Sequence, residues 1–305
     1  MRIAYLIPHD TYLTRMDLGR VLYSEALGEL DNVELVLGGK GWPDYSGEQT
    51  VTENLGNLDA VIVYKGGGIL GLEEVPVRAI TFNESHEETH FLKEIEDAHA
   101  NLIVFHHEGD MEYRKDVDCK KVNILHCTKT FLNEEKTKDC IVAGVLSPEI
   151  YPLRSRLADL IKSGRLSGKV RHHPGYRLKS KEICLHQYND YNKDVSSARI
   201  SLTCTSIYKY PLSKIIESMA LGTLVVCDMP DGEHFKETIG KHIVEISNEM
   251  SDDEICGVVQ RELDNPEELQ RKSLEAQEFA RNYTMEKYAE RLLSEIKGVY
   301  EKVSS

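Results

Sequence analysis

Within Tyr208-Lys209-Tyr210-Pro211-Leu212-Ser213-Lys214-Ile215-Ile216-Glu217-Ser218-Met219-Ala220-Leu221-Gly222-Thr223, a lysine and a glutamate, Lys214 and Glu217, stand three residues apart. On a helix that spacing puts both on one face, while Ile215, Ile216 and Met219 pack the helix against a sheet. Near the carboxyl end of a strand, the glutamate could accept both hydroxyls of a ribose and the lysine could hold an anion. The same pair reads equally well as an exposed Lys–Glu contact, and spacing alone does not choose.

Other polar residues follow apolar runs. His106 and His107 end Leu102-Ile103-Val104-Phe105, where a histidine could contact a sugar or tune a proton on a hydroxyl. His9 follows the first apolar run in the same way, with Asp10 and Asp17 as weaker candidates. Each also reads as an ordinary loop residue. His172 and His173 flank Pro174-Gly175 and read as rim contacts or as packing, since no further metal ligands cluster nearby. Tyr188 and Tyr191 are candidates to stack near a base.

Two familiar patterns carry less. His86-Glu87-Glu88-Thr89-His90 matches H-E-x-x-H, which on a helix would present two imidazoles to zinc. Glu88 is charged where such a helix is normally buried, and no third ligand follows, so a solvated helix start is the expectation. Gly66-x-Gly68-x-x-Gly71 matches the dinucleotide fingerprint, but Pro76 interrupts the helix that should follow. Gly66, Gly67 and Gly68 are read instead as a loop at a cleft rim, where bare backbone can approach a ligand.

These residues need a scaffold. Apolar runs at 3–7, 33–37, 60–64, 77–82, 102–105 and 122–126 predict strands, with helices over 18–30 and 90–99 between them. A second set follows, with strands at 140–145, 170–172, 200–204 and 224–227. Its helices are expected over 153–162, 211–221, 253–263, 266–283 and 285–303, with Pro211 in a first turn. Strands joined by helical crossovers imply parallel sheets. The expected organisation is two doubly wound units, residues 1–134 and 135–284, with the closing helix 285–305 packing back on the first. Such sheets bind ligands at the carboxyl ends of their strands, which places the expected site in a cleft between the units.

Composition narrows the partners. The 305 residues are 41% hydrophobic and 29% charged, which suits folded domains, and the net charge of −14 disfavours nucleic acid. No leader precedes the first strand and no run is long enough to span a membrane, so a cytoplasmic protein is expected. Seven scattered cysteines without a C-x-x-C pair read as reduced thiols. A homodimer is compatible with the sequence.

The segment from Lys214 to Val226 resembles the signature of glycosyltransferases group 1, the retaining GT-B enzymes of glycosyltransferase family 4 and relatives. The resemblance extends to Ala143-Gly144-Val145-Leu146-Ser147 with Tyr151-Pro152-Leu153-Arg154, to His172-His173-Pro174-Gly175-Tyr176, and to Ile200–Cys204. The first half matches in architecture only. The resemblance implies a GT-B fold, a ribose-binding role for Glu217 and transfer from a nucleotide diphosphate sugar to a hydroxyl acceptor. It also implies retention and no metal or other cofactor. GDP-mannose is the favoured donor and a UDP-sugar the alternative. The family often carries a second glutamate eight positions earlier, facing the transferred sugar; here that residue is Lys209.

A leaving nucleoside diphosphate needs cations and amide dipoles. Arg154, at a helix start, Arg171, Lys209 and Lys214 are the candidates, with Ser147, His173 and Tyr208 as further donor contacts. Lys209, His106 and His107 are the catalytic candidates, and no metal ligands are assigned. The rival readings are an epimerase on the same fold, a non-catalytic nucleotide-sugar-binding protein, and a zinc hydrolase at His86 and His90.

Overall fold

The computed structural model describes residues 1–16, 18–64, 67–82, 88–113 and 116–305. Asp17, Gly66 and His86 lie outside them. The chain forms two compact units. The first is Met1–Leu125 with Tyr176–Cys184 and Met285–Ser305, and the second is His126–Gly175 with Leu185–Thr284.

The first unit runs β1 (Arg2–Leu6), α1 (His9–Thr14), α2 (Leu18–Gly28), β2 (Glu34–Gly38), α3 (Val51–Leu55), β3 (Ala60–Val63), β4 (Val77–Phe82), α4 (Glu88–Asp97), β5 (Leu102–Phe105), α5 (Glu108–Tyr113) and β6 (Lys120–Asn123). Its described strands form a parallel sheet in the order β2-β1-β3-β4-β5-β6. Ala60–Val63 and Leu102–Phe105 are buried throughout, as continuous apolar runs are when both faces of a sheet are covered. Between β3 and β4 the described residues hold only a 3-10 turn at Leu72–Glu74, so the glycine motif opens no crossover helix and the dinucleotide fingerprint has no structural counterpart there.

The second unit continues with β7 (Lys138–Gly144), α6 (Pro152–Lys162), β8 (Gly168–His172), α7 (Lys181–Ser196), β9 (Ala198–Leu202), α8 (Ser213–Ala220), β10 (Leu224–Cys227), α9 (Glu233–Glu237), β11 (Ile243–Glu245), α10 (Asp252–Leu263) and α11 (Pro266–Ala280). The first turn of α7, Lys181–Cys184, counts with the first unit. The sheet order is β11-β10-β9-β7-β8, again parallel. Cys140, Val142, Ile200, Leu202, Leu224 and Val226 build its core with Leu153 and Leu157 of α6. The closing helix α12 (Met285–Ser304) belongs to the first unit, where Tyr288 meets the ring of Tyr23 at 4.9 Å.

Several local rules set the helix ends. Pro152 opens α6, where its missing N–H costs nothing. Pro211 does not open a helix as expected: Leu212 is the N-cap of α8, so the proline lies one residue outside. At the other end, Gly222 takes φ of 64° and its N–H bonds Met219, while Thr223 N–H reaches back to Ser218. That paired closure satisfies the last carbonyls and needs a left-handed residue. Among the described residues no helix is long and apolar enough to cross a membrane.

Candidate functional site

In each sheet the strand order reverses once, and the loops diverge there. In the second unit this happens between β7 and β9. Gly144 ends β7, Arg154 lies on the helix after it, Thr203 and Thr205 follow β9, and Lys214 and Glu217 lie on α8. Residues spread over more than seventy positions thus follow the carboxyl ends of two neighbouring interior strands.

Gly144 adopts φ of 118°, and a Cβ there would stand 3.0 Å from Arg154 Nη1 and 3.4 Å from Lys214 Cε. The two cations therefore pass over a strand end kept bare. Arg154 is only 2% exposed. Its guanidinium lies 4.4 Å from the centre of the Tyr151 ring, and Nη1 donates to Val145 O over 3.3 Å. Its Nε and Nη2 are buried without a protein acceptor, as are the hydroxyls of Ser155 and Thr203. Arg156, two residues along the same helix, pairs with Asp252 at 2.6 Å. A buried guanidinium with unmatched N–H groups is costly to maintain and is the chemistry of an anion site.

Lys214 stands 4.2 Å above the Tyr191 ring, and its Nζ meets Glu217 Oε2 at 3.2 Å. Tyr191 donates its hydroxyl to the same oxygen over 2.8 Å. The glutamate side chain is 14% exposed. Burial alone would raise its pKa, but the Lys214 charge and the Tyr191 hydroxyl outweigh that and hold it below the ordinary value. Glu217 is thus an ionised carboxylate with a fixed orientation. Tyr191 is buried, so it holds Glu217 and does not offer its face to a base. Its phenol is pushed well up, by burial and then by Glu217.

His173 belongs to this cluster. Its Nδ1 accepts from Gly175 N–H over 3.0 Å. Burial, then the Lys214 and Arg154 charges, lowers its pKa, which keeps the ring neutral.

Lys209 has another task. It takes φ of 55°, and its Nζ donates to Asp228 Oδ2 over 3.0 Å. Asp228, 3% exposed at the end of β10, also accepts Thr205 N–H at 2.6 Å and the Thr205 hydroxyl at 2.5 Å. Burial would lower the Lys209 pKa, yet the bond to Asp228 raises it overall, so this ammonium is a poor proton acceptor. The pair clamps the loop leading into α8. Asp228 is a site residue that its type alone did not single out; its position after an apolar run was the available signal.

The remaining candidates of this unit have other partners. Arg171 is ion-paired to Asp194 at 2.5 Å, which takes it out of the cation cluster. Ser147 donates to Glu149 over 2.9 Å. Tyr208 is exposed, 5.8 Å from the Tyr210 ring.

In the first unit, His106 donates through Nδ1 to Ile124 O over 2.8 Å and its ring lies 5.8 Å from the Tyr288 ring. His107 lies 3.7 Å from Asp110, both buried beyond β5. His9 meets the Trp42 ring at 4.6 Å. Gly67 and Gly68 are exposed, Gly68 with φ of 77°. His90 pairs with Glu94 at 3.0 Å. Among the described residues no group of three His, Cys, Asp or Glu side chains could hold a metal, and no disulfide joins any of the seven cysteines.

No protein-family model and no curated protein matches the chain. Solved structures do. The O-GlcNAc transferase GtfA of pneumococcus, solved with UDP and GlcNAc, is 15% identical over 81% of this chain, with a TM-score of 0.56; this chain spans 58% of that one. Sucrose-phosphate synthase of Thermosynechococcus elongatus is 11% identical over 99% of this chain and 100% of its own, at a TM-score of 0.65. HepE of Anabaena, solved with UDP, is 11% identical over 98% and 100%, at 0.66. At these identities the likeness is one of architecture: two parallel, doubly wound units in one chain, the GT-B fold.

Proposed function

We propose that this chain transfers a glycosyl group from a nucleoside diphosphate sugar to a hydroxyl of a second molecule. The observation that carries the reading is Arg154, a 2% exposed guanidinium whose Nε and Nη2 have no protein acceptor. Beside Lys214 and over bare Gly144, it suits a diphosphate, whose oxygens take charge-assisted bonds. As the sugar leaves, charge develops on the distal phosphate, and cations held in advance stabilise it without reorganising. In this reading they do what a metal ion does in other transferases. Glu217, kept ionised and aimed by Lys214 and Tyr191, accepts the ribose hydroxyls.

HepE and GtfA were solved with UDP, and HepE also with UDP-glucose. We therefore place a UDP-sugar ahead of the GDP-mannose favoured by sequence. Transfer with retention follows from the resemblance to the family 4 signature. Lys209, bound to Asp228, positions the loop and takes no proton. On the acceptor side, His107 with Asp110 is the pair suited to orient a hydroxyl.

A product assay on the purified protein with UDP-glucose and GDP-mannose tests this. Slow sugar release with donor alone, and transfer once an acceptor is present, are expected. An isomerised donor would mean an epimerase, and nucleotide binding without sugar release a non-catalytic binder.

A further inference from the structure

The first unit repeats the arrangement of the second. Its strand order reverses between β1 and β3. Arg15 follows α1 just beyond β1, and its guanidinium carbon lies 5.9 Å from the centre of the Tyr64 ring, at the end of β3. Arg15 Nε is buried with no protein acceptor. Among the arginines whose side chains are described, every other one that is not exposed donates to a carboxylate or carbonyl, apart from the nitrogens of Arg154 already described. A ring contact at the outer limit of cation–π range compensates little.

The backbone brings a second cation alongside. Arg15 and Arg177 are directly opposed in an antiparallel bridge. Met16 N–H bonds Tyr176 O at 2.9 Å and Leu178 N–H bonds Thr14 O at 2.7 Å, which fixes the two segments. Residues opposed in this way point to the same face with Cβ atoms about 5 Å apart, and like charges there repel. Among the described residues, the acid that pairs with either arginine is Asp10, at 3.5 Å from Arg177 and with both side chains largely exposed. Such an exposed pair is worth little. Nearby Lys181 is neutralised by Glu25 at 2.5 Å, so the acidic surface can supply a partner where one is wanted.

We propose that Arg15, with Arg177 opposite it, binds an oxyanion on the molecule that receives the sugar, so that the acceptor carries a phosphate or a carboxylate. The planar fork of arginine matches either group bidentately. The identity of the ligand as acceptor rests on the transfer reading, whereas the anion site stands on the Arg15 geometry.

The chain has one tryptophan, and it reports on this place. Trp42 touches His9 and Tyr12 of α1, the helix that leads into Arg15, at 4.6 and 5.3 Å. Glycerol 3-phosphate, glucuronate and neutral glucose are titrated against the whole protein with Trp42 fluorescence as readout. UDP is titrated separately by calorimetry. At least one anion should shift the emission saturably and more weakly as salt rises, and glucose should not.

Arg15→Gln should weaken that anion at least about tenfold with UDP affinity unchanged, and Arg15→Lys should keep part of it. Arg177→Gln, at an exposed position, gives a second variant that keeps the fold and should weaken the anion by a smaller factor. Response to the phosphate alone or the carboxylate alone names the group. If neither anion binds, or both bind the variants as well as the native protein, the proposal is overturned. If UDP binds and the Arg15 arm fails, only this proposal falls; if UDP fails and the Arg15 arm holds, the transfer reading falls and the anion site stands.

Discussion

The phenol of Tyr191 donates to Glu217 Oε2 over 2.8 Å, from a ring that also carries Lys214 above it at 4.2 Å. One buried tyrosine thus orders both the carboxylate and the cation of the candidate donor grip. Tyr191→Phe keeps the ring and removes only the hydroxyl. The fold should persist, and nucleotide affinity should fall about 3- to 10-fold, the net worth of about one ordinary hydrogen bond. Glu217→Ala should cost more. Calorimetric titration checks both, and unchanged affinity in Glu217→Ala would remove that residue from the site.

Gly144 is required for two reasons that act together. Its φ of 118° strains any residue with a Cβ, and that Cβ would press on Arg154 Nη1 at 3.0 Å. Gly144→Ala should lower unfolding free energy by about 1–3 kcal/mol and weaken nucleotide binding by displacing the guanidinium. A variant that loses stability but binds normally would show that Arg154 does not meet the ligand.

Asp228 and Lys209 can be separated from chemistry by their readouts. Asp228→Ala leaves the buried Thr205 N–H without an acceptor and the Thr205 hydroxyl with only Ser206 O at 3.3 Å, and should cost about 1–3 kcal/mol in denaturant unfolding. Lys209→Gln, which can still donate to Asp228, should keep most of the turnover. If Lys209→Gln instead abolishes turnover with stability unchanged, the lysine takes part in the reaction.

His173 gives a pH signature. Its pKa lies below the ordinary 6.5 because of burial and then the Lys214 and Arg154 charges. The unfolded chain therefore binds the proton more readily, so this contribution is complete above about pH 6.5 and is lost as pH falls through the folded value. Unfolding free energy should decline on that side, and His173→Gln should remove part of the decline. An anion that neutralises the two cations raises the His173 pKa, so nucleotide binding just below pH 6.5 should take up protons. Calorimetry in buffers of different ionisation heat measures this, and zero uptake would place the anion away from His173.

The strands were the legible part of the fold. Val77–Phe82, Leu102–Phe105 and Leu224–Cys227 stand where their apolar runs predict, because a parallel sheet covered on both faces demands such runs. Helix α7 was not legible. Its buried positions include Cys184, Tyr191, Asn192, Val195 and Ser196, a helical spacing that two polar residues conceal. Asn192 donates to Thr130 and the Ser196 hydroxyl receives Glu134 N–H, tertiary partners that one segment cannot reveal. The same limit shaped the site. Lys214 and Glu217 were visible through their spacing, and Arg154 through its place on a helix after a strand. That Arg171 is spent on Asp194, Lys209 on Asp228 and His106 on Ile124 depends on neighbours distant in sequence.

The central claim is that the second unit holds a nucleoside diphosphate on Arg154, Lys214 and Glu217. Calorimetric titration of the native protein and of Arg154→Gln with UDP and with GDP tests it most directly. The account predicts one-to-one binding of at least one nucleotide, weaker as salt rises, and a loss of about tenfold or more in the variant. Binding of neither nucleotide to the native protein, or equal binding to native and variant, would contradict it.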